Sequence, residues 1–209
     1  MTNNTKTKRI VITGHRPQRL GGWYKNYLHE RVRNYMTDWF QRVLVKEPHV
    51  TLITGMATGT DQWAAQIALD LCIPFQAYIP GPDHGAGWSE WNFNAYKELL
   101  SWAQQSQVVS DYIQKVSDVD DPNIEWTTCR ITGKKQPVHP RSYGDMMQRR
   151  NIAMAADADV CLAVWDGSRS GGTYNMLAHI KEHHRGMPVI AYNPHTDEAR
   201  RLDKRWASL

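Results

Sequence analysis

Short apolar runs alternate along this chain with longer amphipathic stretches, and the alternation predicts the elements. Residues 9–13 (RIVIT) have the length and character of a buried strand. A polar turn, GHRPQRLGG, follows. From 26 to 46, Leu28, Val32, Tyr35, Trp39 and Val43 recur every three or four residues, as one face of a helix requires. Residues 51–54 (TLIT) predict a second strand, stopped by Gly55. A second helix is expected from Thr60, a suitable N-cap, with Ala64, Ile67, Ala68 and Leu71 inward. Residues 75–79 predict a third strand, closed by Pro80-Gly81-Pro82. A helix over 89–106 and a short strand over 107–110 follow. From 111 to about 140 the rhythm lapses. That stretch reads as a long excursion, lid-like or poorly ordered, with room for a small hairpin around Gly133. Regularity returns with a helix over 142–156, a strand over 160–165, a helix over 173–184 and a strand over 188–192.

Strands that are apolar throughout and separated by helices imply an α/β fold: a mostly parallel sheet covered on both faces. In such sheets ligands sit beyond the carboxyl ends of the strands, where the connection changes direction. Three glycine-bearing loops here follow strands and precede helices, so all three are expected on that edge.

Composition narrows the picture. The 209 residues, 41% of them hydrophobic, suit one domain spanning 1–209 better than two. No apolar run approaches the roughly 18 residues of a membrane span. The N-terminus, MTNNTKTKR, lacks the apolar core of a signal peptide, so a cytoplasmic location is expected. Cys72, Cys129 and Cys161 are an odd count without CxxC spacing, which argues against disulfides and zinc. Cys72 and Cys161 read as small buried hydrophobes. The net charge of +4 suits anionic ligands without requiring them. Basic residues gather slightly at Arg200, Arg201, Lys204 and Arg205, read as a solvated tail helix. His183 and His184 are adjacent and so diverge on a helix, and no metal or other cofactor is expected. Exposed aromatics such as Trp23, Trp88 and Trp126 suit a pocket lining or a homo-oligomer interface.

The loops carry the candidate chemistry. In the first, Gly14 permits a sharp turn, and Arg16 presents a planar fork suited to phosphate or carboxylate, or is a surface arginine. His15 beside it contacts ligand or supports the turn. In the second, Gly55, Met56, Thr58, Gly59 and Thr60 offer small residues and hydroxyls ahead of a helix N-terminus. Asp61 there either favours the helix dipole or faces a sugar hydroxyl. In the third, Asp166, Gly167, Ser168, Gly171, Gly172 and Thr173 lead from a strand into a helix, with the paired glycines offering bare N–H groups. No GK[ST] or GxGxxG signature is present.

The segments TGHRPQRLGG (13–22), TGMATGTDQWAA (54–65), RRNIAMAADAD (149–159) and AVWDGSRSGGTYNM (163–176) resemble the SLOG superfamily in residues, order and spacing. That superfamily joins the SMF/DprA and Lonely-guy proteins, and the likeness is strongest to its YpsA-like and phage-encoded branches. The 111–140 excursion lies outside the resemblance. The resemblance implies a Rossmann-like fold binding nucleotides or their derivatives, and it adds Arg150 and Asn151 to the candidate site. Lonely-guy enzymes carry a glutamate just after their glycine-threonine turn. Tyr174, Asn175 and Met176 stand there instead, so Asp61 or Asp166 would have to replace it.

Three functions follow as expectations. The first is a module that binds a nucleotide or nucleotide-derived ligand, as sensor or sequestering protein. The second is an N-glycosidase or ribosyl-transfer enzyme using Asp61, with Asp166 as the other candidate acid. DNA binding ranks last, since no basic cluster or helix-turn-helix pattern supports it.

Overall fold

A computed structural model describes residues 7–82, 84–109, 125–128, 135–138 and 140–203. The chain runs β1 (Lys8–Gly14), α1 (Tyr27–Lys46), β2 (Val50–Thr54), α2 (Thr60–Asp70), β3 (Phe75–Ile79), α3 (Glu90–Ser101) and β4 (Gln105–Val108). It continues with β5 (Glu125–Thr128), β6 (Lys135–Val138), α4 (Pro140–Ala156), β7 (Val160–Val164), α5 (Gly172–His183), β8 (Val189–Asn193) and β9 (Glu198–Arg201). Seven strands form one sheet in the order β4-β3-β2-β1-β7-β8-β9. All neighbours pair in parallel except β9, which runs antiparallel to β8. The expected mostly parallel α/β architecture is what the chain adopts.

The alternation of side chains along β1 assigns the two layers. Ile10 and Ile12 point into a core built with Val32, Met36 and Phe40 of α1, Ile67 of α2, and Tyr96 of α3. Val11 points the other way, into a core shared with Met154 of α4 and Met176, Leu177 and Ile180 of α5. A sheet buried on both faces explains why its central strands carry unbroken apolar runs, at 10–12 in β1, 52–53 in β2 and 160–164 in β7. Each fully buried Ile, Met or Phe contributes about 1.5–3 kcal/mol.

Several elements differ from their sequence reading. The inward face of α1 is Leu28, His29, Val32, Met36 and Phe40, while Tyr35, Trp39 and Val43 pack only partly. The wide apolar stripe of this helix admits two neighbouring faces, and the sheet selects the one carrying Phe40. Asn26 caps α1, its Oδ1 accepting from the amides of Leu28 and His29 at 2.9 and 3.2 Å. Gly59, at φ 93°, and not Thr60, is the N-cap of α2. The helix α3 stops at Ser101, and the strand expected at 107–110 lies at Gln105–Val108.

The basic tail is not a helix over its described part: Arg200 and Arg201 belong to edge strand β9. Such charged edges resist pairing with other chains. Cys72 is exposed, at φ 56° in the turn after α2, whereas Cys161 is fully buried. Within 111–140, β5 and β6 pair antiparallel. Residues 129–134 that join them, with Gly133 and Cys129, lie outside the described residues, as do Lys204, Arg205 and the side chain of Trp126. No helix among the described residues is long and apolar enough to cross a membrane.

Candidate functional site

Strands β2, β1 and β7 are immediate neighbours, and each ends in one of the glycine-bearing loops. From β1 the chain winds outward through β2, β3 and β4, then returns to lay β7 on the other side of β1. The switch point therefore falls between β1 and β7, where the two loops diverge and leave a crevice. It measures about 430 Å³. Gly14, His15 and Arg16 line it from β1 and its loop, Asp61 from α2, Arg150 and Asn151 from α4, and Gly171, Gly172 and Thr173 from α5.

The loop after β7 is built around Asp166. Its Oδ1 accepts the amide of Ser168 at 2.8 Å and lies 2.9 Å from Nε2 of His15. Arg19 closes the outer side, donating to the hydroxyls of Ser168 at 2.6 Å and Ser170 at 3.2 Å. Burial pushes the Asp166 carboxyl up, but the Ser168 and His15 contacts outweigh it and hold it down to about 2. Asp166 is thus an ionised anchor. Burial in turn lowers the His15 imidazole despite that carboxylate, so the ring is chiefly neutral. Its Nε2 also lies 3.1 Å from the Asp166 amide. A proton on Nε2 serves the carboxylate, and a bare Nε2 accepts the amide, so the two contacts alternate.

With the loop held by its own side chains, its far end is left open. No described residue accepts from the amides of Gly171, Gly172 or Thr173. They open α5, where unsatisfied N–H groups carry the positive end of the helix dipole. A Cβ built on Gly171 or Gly172 would meet nothing within 4 Å, so space lies over this backbone. Arg16 is exposed on the same crevice, and its guanidinium makes no hydrogen bond or ion pair among the described residues.

The loop after β2 behaves differently. The Met56 amide is taken by Oγ1 of Thr54, the Ala57 amide by Oδ2 of Asp61, and the Thr60 amide and hydroxyl by the carbonyl of His15. Its glycines answer to neighbouring protein. A Cβ on Gly14 would lie 2.5 Å from Thr60, and one on Gly59 2.8 Å from Pro17. Met56 is fully buried, Thr60 is 1% exposed, and Thr58 and Gly59 line a separate cavity. The crevice thus gathers nine of the sequence candidates. Gly55, Met56, Thr58, Gly59, Thr60, Asp166, Gly167 and Ser168 do not line it.

Beneath the crevice lies a buried polar layer. Asp61 is 5% exposed, and burial raises its carboxyl above the ordinary range, with the charges of Arg150 and Arg16 opposing. Arg150, 8% exposed, donates to the carbonyl of Gly55 at 3.1 Å and to Oδ1 of Asn151 at 3.0 Å. Asn151 passes the chain on to the carbonyl of Gly172 at 3.3 Å. His84 is fully buried against Trp88 and Tyr96, beside the backbone of Met56. Burial first, and Arg150 and Arg16 after it, lower its pKa to about 3, so the ring is neutral.

Residues 10–119 match the model of the YspA SLOG family (YpsA), which is more than half of the chain. The chain belongs to the YspA SLOG family. It is 27% identical over 176 residues to the uncharacterized SPbeta prophage-derived protein YoqJ of Bacillus subtilis, covering 81% of this chain and 92% of that one. Among solved structures it is similar to DNA processing protein A (DprA) of Streptococcus pneumoniae, at TM-score 0.53 and 15% identity. That match covers 90% of this chain, which spans half the length of the S. pneumoniae chain. DprA of Helicobacter pylori, from a structure concerned with its single-stranded DNA binding mode, matches at TM-score 0.52 and 14% identity. It covers 90% of this chain and 70% of that one. These structural likenesses speak for the fold.

Sequence reasoning overlooked Gly144 and Met147 of α4, Asn175 of α5, and Gln18, Arg19 and Ser170 in the loops of this family member. A signal existed for the first two. Positions 144, 147, 150 and 151 share one helix face, so choosing Arg150 and Asn151 implied their neighbours.

Proposed function

We propose that this protein binds a nucleotide or nucleotide-derived small molecule in the crevice between β1 and β7, as a sensing or sequestering module. The observation that carries the reading is the set of three unpartnered amides, of Gly171, Gly172 and Thr173, sharing one crevice with an Arg16 that has no ion pair among the described residues. A helix N-terminus and a free guanidinium together suit a phosphate. The crevice volume falls within the range of small-molecule sites. Isothermal titration against nucleoside mono- and diphosphates and ADP-ribose tests it. Binding tighter than millimolar by at least one member is expected, and none would remove the reading.

A second reading rests on Asp61. A buried carboxyl lining a ligand crevice suits cleavage of an N-glycosidic bond, where its ionised form stabilises positive charge developing on the sugar. Asp166, committed to His15 and the Ser168 turn, is the weaker candidate. Release of free base from a nucleoside monophosphate, abolished in Asp61→Asn, is the expected sign of turnover.

A third reading is a nucleic-acid partner, ranked last in the sequence for want of a basic cluster or helix-turn-helix pattern, and it is supported by a fold shared with a DprA whose structure concerns single-stranded DNA. Gel shifts with a single-stranded oligonucleotide at low and high salt decide it.

A further inference from the structure

A second cavity, of about 570 Å³, lies between α1, α2 and α3 and shares no lining residue with the crevice. The two are separated by a thin wall. Pro17, Thr58 and Gly59 face the second cavity, while their chain neighbours Arg16, Gln18 and Ala57 face the crevice. Three of the nine tryptophans line it: Trp23, 48% exposed, Trp91, 77% exposed, and the partly buried Trp63. Large aromatic surfaces left open to water around a concavity mark a binding site more often than scattered single exposures do.

Two polar features give the cavity its chemistry. The His29 ring is 6% exposed, packs 4.6 Å from Trp63, and sits against the backbone of Gly22 and Leu20. Burial lowers its pKa, so the ring is neutral. Of the cations, Lys25 is paired with Glu30 at 3.1 Å, but Arg33 has no ion pair among the described residues.

We propose that this cavity is a second ligand site, taking a planar heteroaromatic ring that carries an anionic group. The ring stacks on Trp23 and Trp91, and the anion pairs with Arg33. This is the chemistry of a nucleotide, free or at an end of a single strand, and it stands apart from the crevice proposed above.

The test titrates the full chain with nucleoside 5′-monophosphates and, separately, with a short single-stranded oligonucleotide, reading tryptophan fluorescence. Calorimetry follows the variants, because removing Trp91 removes a reporter. Saturable quenching is expected in the wild type and in Gly171→Ala, which strains the loop at the crevice, Gly171 standing at φ 91°, and leaves the lining of the second cavity untouched. Trp91→Ala and Arg33→Gln should each weaken that binding by about tenfold, as loss of one base stack or one cation contact does. Both side chains reach solvent, so both variants should fold, as circular dichroism will verify. Stronger binding of the oligonucleotide supports the same chemistry with a strand as its source. Absence of quenching, equal affinity in both variants, or loss of the signal in Gly171→Ala would overturn the proposal.

Discussion

The guanidinium of Arg150 occupies the space where residue 55 would carry a side chain: a Cβ on Gly55 would lie 2.6 Å from its Cζ. The same guanidinium donates to the Gly55 carbonyl and sits close enough to Asp61 to oppose the rise in its pKa. One glycine therefore lets a buried cation reach the crevice floor.

Gly55→Ala should accordingly cost about 1–3 kcal/mol through overpacking. Chemical denaturation measures it. In the double variant with Arg150→Ala the clash is gone, so the two costs should sum to more than the double variant loses.

Arg16→Ala should separate binding from stability. The side chain is exposed and has no partner among the described residues, so unfolding free energy should change by less than about 0.5 kcal/mol. Affinity for a nucleotide bound in the crevice should fall about tenfold, the worth of one charge-assisted hydrogen bond. Parallel thermal unfolding and calorimetry check both halves.

Asp61→Asn should raise stability at neutral pH. The folded carboxyl has a raised pKa, so its contribution is fully present below the unfolded value and is lost as pH rises through the folded one. Asparagine carries no charge to bury and can still accept the Ala57 amide. The variant should melt above the wild type at pH 7, with the gap closing as pH falls toward about 4 and absent below it, in a series of melting curves.

Asp166 should act with the opposite sign. Held at about 2, its carboxylate stabilises the fold above the unfolded pKa, and that contribution is lost as pH falls from about 4 through 2. Asp166→Ala should cost about 2 kcal/mol at pH 7, with little further loss over that acid window. Urea titrations at pH 7, 4 and 2.5 measure this.

The fold was legible because its central strands are buried on both faces, which leaves short apolar runs such as IVI and VCLAV, each followed by a glycine-bearing loop. The loops were legible as glycines placed between such a run and a helix. Their individual roles were not. Gly55 answers to Arg150, 95 residues away, and Gly14 to Thr60, so only the tertiary contact separates a packing glycine from one that admits a ligand. The same gap hid His84, an isolated histidine in a Pro-Gly-Pro turn region that the fold buries close to Arg150. The β9 edge strand, with Arg200 and Arg201, was misread because a charged edge carries no apolar period.

The central claim is that the amides opening α5 receive an anion. Titrating isotope-labelled protein with the tightest-binding nucleotide and following amide resonances tests it directly. The account predicts that the Gly171, Gly172 and Thr173 signals move most and saturate together, while those of Met56 and Ala57 move little. Stationary signals at 171–173, with shifts elsewhere, would contradict it.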